Sequence, residues 1–250
     1  MPQSFEWVPL IPFLKDLPIH LSHTILAMCL LVPLVWMASR KLRRPDLDIV
    51  PSRRFGVLNF FEIVYEALMD LAAPILGHDA PRFIFLVAAL ALYILFSNLL
   101  GVIPGLAPAT DNVNSTAACA LVVFFATHYY GFKAQGVAYL KHFVGPSIWL
   151  APLMIPIEII GHLARPLSLS LRLFGNMFGD HIVLAVFVFM MTGLTKFILS
   201  SSVFVWIFAP VALLIPSVVM VLGIFVAVVQ TLVFILLTMS YLSGAVAEAH

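Results

Sequence analysis

Between residues 197 and 247 the chain contains no aspartate, glutamate, lysine or arginine. A helix needs only about 20 apolar residues to cross a bilayer. Over the full 250 residues, 13 are basic and 12 acidic, so 10% carry charge where a soluble domain carries about 25%. With 62% of residues hydrophobic, that scarcity excludes a large soluble domain and leaves room for five or six crossings. Cysteine is nearly absent too. Cys29 and Cys119 lie in separate apolar runs, read as small core residues, and suggest neither a disulfide nor a zinc site. The opening Met1-Pro2-Gln3-Ser4-Phe5-Glu6 lacks the basic region of a signal peptide, so the first apolar segment is expected to be retained. No internal repeat is visible.

The charges that remain set the topology. A first span is expected over 17–39, followed by Arg40, Lys41, Arg43, Arg44, Arg53 and Arg54, six of the 13 basic residues. The positive-inside rule puts that end in the cytoplasm and the N-terminus outside. Over 57–77, Glu62, Glu66 and Asp70 recur every four residues opposite Phe61, Val64, Leu68 and Leu71. This is the pattern of an amphipathic helix on the cytoplasmic surface. A helical hairpin follows over 82–132, with spans at 82–103 and 115–132 joined by an outer turn rich in proline, glycine and asparagine. Two apolar stretches, 147–193 and 197–247, each exceed a straight crossing and predict strongly tilted helices or membrane hairpins, bent at Pro152, Pro156, Pro166, Pro210 and Pro216. The expected fold is an all-α polytopic membrane protein, a single membrane domain over 1–250. It has about five membrane helices plus the surface helix, and its C-terminus lies in the cytoplasm.

Within 147–193, Glu158, His162, Arg165, Ser168, Arg172, Asn176 and Asp180 recur at three- and four-residue steps. At about 100° per residue all but Ser168 project into an arc roughly 80° wide. Even on lenient insertion scales Arg172 costs roughly 2.5–3.5 kcal/mol near a helix centre. Its in-chain carboxylates, Glu158 and Asp180, lie 14 residues below and eight above, or roughly 21 and 12 Å along the axis. Neither neutralises it, so its partner is expected on another chain. Glu158, His162, Asp180 and His181 are titratable groups at membrane depth, the usual markers of an ion path, and histidine exchanges protons near neutral pH.

Blander readings compete. Ser168, Ser170 and Gln230 taken singly suit helix–helix glue, and His162 could be a core histidine satisfied by a carbonyl. His20, His23 and His128 do not form the paired set at matched depth that a haem bundle needs. Gly175 and Gly179 form a small-xxx-small pair that permits close helix approach. A secondary transporter would also carry midplane charge, yet it should show repeated halves and a substrate cavity. A mere anchor would not need the stripe.

The run Arg165-Pro166-Leu167-Ser168-Leu169-Ser170-Leu171-Arg172-Leu173-Phe174-Gly175-Asn176-Met177, with Gln230 in a later charge-free helix, resembles the subunit a family of F-type ATP synthases. The layout is similar from end to end. The resemblance implies a non-catalytic stator subunit, without cofactor, metal or nucleotide site, in an energy-transducing membrane such as the bacterial plasma membrane. Its implied partners are a ring of c subunits, b-type peripheral stalk subunits, the remainder of the ATP synthase and the lipid bilayer, with no nucleic acid. Two offset proton half-channels would couple ion flow to ring rotation and ATP synthesis. Carried over by position, the resemblance makes Arg172 the essential rotor-facing charge, Asn176 and Gln230 its polar neighbours, and Glu158 an acidic channel residue. His181 falls where the family has an acidic residue or a histidine. The complementary titratable position, seven residues before the glutamine, is Gly223 here, and Asp180 is the expected substitute. Glu158 and His162 are expected to serve the same aqueous system as Asp180 and His181.

Overall fold

The computed structural model describes residues 17–42, 56–103, 106–136, 139, 149, 151–199 and 202–247. Six α-helices carry these residues: α1 Ile19–Leu42, α2 Val57–Leu76, α3 Ala80–Val102, α4 Val113–Gln135, α5 Ala151–Leu199 and α6 Ser202–Ala247. No strand occurs among them. Four stretches of the described residues are long and apolar enough to cross a membrane: His20–Lys41, Val57–Val102, Val113–Gln135 and Ser217–Val246. At 1.5 Å per residue, the 49 residues of α5 and the 46 of α6 extend roughly 74 and 69 Å. Each is more than twice the ~30 Å hydrocarbon core.

The amphipathic pattern of α2 packs as its sequence dictates, with Leu68, Ala72 and Leu76 buried and Glu66 and Asp70 exposed. Those leucines meet Phe83, Ile84 and Val87 of α3 and Ile235, Met239 and Leu242 of α6 in one core cluster. Ser243 Oγ donates to the carbonyl of Ile75 at 2.8 Å, tying the C-terminal end of α6 to that of α2. A second cluster joins Leu90 and Ile94 of α3, Cys119, Ala120 and Val123 of α4, Leu169 and Leu173 of α5 and Phe234 of α6. Because Asn176 meets Gln230 while Arg165, eleven residues earlier, meets Tyr241, eleven residues later, α5 and α6 run antiparallel. Cys119 is a small core residue, whereas Cys29 is exposed, contrary to expectation. The reason is that α1 is peripheral and packs through one side only, leaving Met28, Leu30 and Val32 exposed beside it. At the basic end of α1 the Arg40 guanidinium lies 3.8 Å above the Trp36 ring, a pairing suited to a membrane interface.

The turn between α3 and α4 is fastened from three sides. The amide of Ala107 donates to His23 Nε2 at 3.1 Å, so a buried histidine on α1 holds the loop. Thr110 Oγ1 donates to Asn98 Oδ1 at 2.6 Å within the core. Asn112 caps α4, its side chain accepting from the amide of Asn114 at 2.9 Å. Pro108 packs directly on Gly101, where an added Cβ would lie 2.6 Å from the proline Cδ. A rigid ring cannot swing aside, so the turn itself would have to move. Gly101→Ala is therefore expected to destabilise the fold by about 1–3 kcal/mol. The check is thermal unfolding of the detergent-solubilised protein. An unchanged midpoint would show that the turn yields freely.

Candidate functional site

The functional stripe belongs to α5, whose buried edge is Leu169, Ser170, Leu173 and Met177. Arg172 stands outside that edge and is exposed, among the apolar side chains of Leu167 and Leu171, themselves 61% and 51% exposed. Among the described residues it has no acidic partner. One turn further along, Asn176 Nδ2 donates to Gln230 Oε1 of α6 at 2.6 Å. Gln230 is 4% exposed, so this amide pair satisfies a buried polar group and fixes the register of α5 against α6 beside the arginine. In that antiparallel register position 223, seven residues before Gln230, lies level with position 183, seven residues after Asn176. Gly223 is buried there, within one turn of Asp180 and His181.

Toward the N-terminal end of α5 the same stripe opens on a cavity. Glu158 Oε1 lies 3.4 Å from His162 Nε2, one helical turn apart. Both, with Arg165, Thr127, Tyr139, Gly244 and Ala245, line a space of about 80 Å³. A cavity of that volume and polarity holds several waters. The Arg165 guanidinium sits 5.8 Å from the centre of the Tyr241 ring on α6. From α4, the His128 ring faces His162 with centroids 5.1 Å apart. The Tyr139 ring stays in place because it seats on Gly131, where an added Cβ would come within 2.6 Å of the ring.

Toward the opposite end, polar groups gather between α3, α4 and α5. Thr116 and Ser170 hydroxyls, both buried, are 3.1 Å apart and join α4 to α5 near the level of Arg172. On α3, Ser97 and Asn98 are 0% and 2% exposed, and their Oγ and Nδ2 have no hydrogen-bond partner among the described residues.

The structure thus brings Glu158 and His162 together, pairs Asn176 with Gln230, and leaves Arg172 and Ser168 exposed. It does not bring Glu158 and His162 to Asp180. Twenty-two residues of continuous helix, roughly 33 Å, separate Glu158 from Asp180. The side chains of Asp180 and His181 lie outside the described ones. Sequence reading missed Tyr139 and Tyr241 and gave His128 no role beside the stripe. The one available signal was a histidine in an otherwise apolar helix, and this reveals no partner until α4 is set against α5.

A family model described as ATP synthase A chain matches residues 21–243. The chain is 47% identical to "ATP synthase subunit a 1" of Syntrophotalea carbinolica over 232 residues, 93% of this chain and 87% of that protein. It is 44% identical to "ATP synthase subunit a" of Trichlorobacter lovleyi over 228 residues, 91% and 87% of the two chains. With "ATP synthase subunit a" of Geobacter sulfurreducens the identity is 41% over 242 residues, 93% of each.

Proposed function

The chain belongs to the ATP synthase A chain family, and from that premise we propose that it is the stator that guides protons to and from a rotating ring of c subunits. The observation that carries the reading is Arg172: a fixed charge, exposed on the polar stripe of an otherwise apolar helix, with no carboxylate partner among the described residues. A cation so placed needs an anion that arrives from outside the chain. A carboxylate on a passing ring subunit meets that need. About 4 Å from the guanidinium, at an effective dielectric near 20, such a carboxylate is stabilised in its ionised form by about 4 kcal/mol, or roughly three pKa units. It must lose its proton before it passes. Arginine suits the task because its delocalised guanidinium stays charged and leaks no proton.

Two half-paths follow from the separation of the polar ends. With the basic end of α1 in the cytoplasm, the cavity of Glu158 and His162 faces the cytoplasmic side and the groups around Asp180 and His181 face outside. Arg172 stands between them and blocks a direct short circuit. Asn176 and Gln230 hold the two long helices in register beside it, and Ser168 lies on the same exposed side. Helices more than twice as long as the hydrocarbon core is thick fit the bilayer only when strongly tilted, which lets one helix run along a curved rotor. The exposed apolar face of α1 is where b-type stalk subunits and lipid would lie, in a bacterial plasma membrane with the N-terminus outside. Each 100 mV supplies about 2.3 kcal/mol per charge crossing the full field.

A secondary ion transporter conducts alone; a half-channel stator does not. Proteoliposomes containing only this chain are expected to show background proton flux under an imposed potential, with flux restored on co-reconstitution with c subunits. Comparable flux from the chain alone would overturn the stator reading.

A further inference from the structure

Resting on the stator reading just given, we propose that His128 of α4 is a proton-holding residue that shares one proton with His162 and sets the pH range over which the cytoplasmic half-path delivers protons. The two rings meet edge to face, 5.1 Å apart at 69°. His128 Nδ1 lies 2.9 Å from the carbonyl oxygen of Phe124. A carbonyl only accepts, so Nδ1 carries hydrogen and donates, and Nε2 is the nitrogen that gains and loses a proton. The ring is clamped for this role, with its centroid 4.2 Å from that of Phe124 and 6.0 Å from that of Tyr139. His128 and His162 also line one small space with Arg165 and Tyr241.

The charges facing the pair decide how many protons it holds. Among the described residues, Glu158 on α5 brings one negative charge to the pair and Arg165 on α5 one positive charge. Tyr139 and Tyr241 are neutral near pH 7, and α4 supplies no second ionisable group to the space. Two imidazolium charges so close repel, so the pair favours holding one proton over two. Because His128 exchanges only through Nε2, it is a side store beside the path and not a link that protons must traverse. When His162 gives a proton toward the ring, His128 Nε2 can return one across the small space that the two rings line together. No bond beyond N–H is made or broken, and each proton released by one ring is taken up by the other or by water.

A store of this kind acts on pH dependence and leaves the maximal rate intact. Two sites sharing a proton release it at a higher apparent pKa than one site alone, so removing His128 should move the alkaline fall-off in pumping about half a unit toward acid. At the wild-type midpoint that is roughly a twofold lower rate, with little change a unit or more below it. The test uses the complete ATP synthase in proteoliposomes, with ATP-driven pumping measured across pH on the cytoplasmic face and divided by the wild-type rate at each pH. His128→Asn keeps a donor to the Phe124 carbonyl, and His128→Phe keeps the ring contacts. Both should shift the fall-off alike. An unshifted fall-off, or a loss by one factor at every pH, overturns the proposal. Arg172→Ala in the same preparation separates the two readings: if it pumps normally the stator reading fails, and if it is dead while the His128 variants keep the wild-type profile, only the proton store fails.

Discussion

Arg172→Ala is expected to abolish coupled proton transport while the protein still inserts and assembles. The side chain is exposed and has no acidic partner among the described residues, so its removal opens no cavity and strands no buried group. What disappears is the interaction with a passing carboxylate, about 4 kcal/mol or roughly 10³-fold in the ionisation equilibrium. Protonated carboxylates would then slip past the stator, and ATP hydrolysis would continue without pumping. Arg172→Lys should also fail largely, since a desolvated lysine can release its proton. ATP-driven acidification of membrane vesicles, alongside an immunoblot for assembled complex, is the measurement. Near-normal pumping by either variant would sink the assignment.

Asp180→Asn is the second large effect expected, a severe slowing of pumping. Asp180 stays within the arc of the stripe, eight residues beyond Arg172, while His181 turns about 100° away toward another wall. The antiparallel register fixed by Asn176 and Gln230 sets the buried Gly223 within one turn of both. A glycine there supplies space but no titratable group, so the outer half-path proposed above falls to Asp180 and His181. Gly223→Glu is accordingly expected to restore part of the rate lost in Asp180→Asn, and His181→Ala to shift the pH profile by removing the group that titrates nearest neutrality. Wild-type rates in the Asp180→Asn, His181→Ala double variant would show that the outer path runs elsewhere.

The helices and the stripe were legible in the sequence for different reasons. Apolar runs broken by prolines and glycines mark where chain can cross a bilayer, so the all-helical membrane class follows from composition and order. The step from Glu158 to His162 and on to Arg165 follows from helical period alone, and the 3.4 Å contact of Glu158 with His162 is a one-turn pairing that needs no tertiary information. Contacts between helices were not legible. That His128 meets His162, or that Thr116 meets Ser170, depends on the rotation and slide of α4 against α5, set by Ala120, Val123, Leu169 and Leu173 in the core. Apolar side chains of similar size at those positions would permit several registers. Cys29 was misread for a related reason: on a peripheral helix hydrophobic all round, period does not say which side faces lipid.

On the stator reading proposed above, the exposed arginine also bears on the life of the protein before it meets its rotor. A copy released alone into the bilayer presents a guanidinium to acyl chains or draws water and headgroups toward it, a cost of a few kcal/mol that vanishes once a carboxylate arrives. Orphan copies are thus disfavoured against assembled ones by the same group that does the work. A cell making this chain ahead of its ring would accumulate a strained, conspicuous intermediate, open to quality-control proteases. Matched synthesis of the two is a demand written into one side chain.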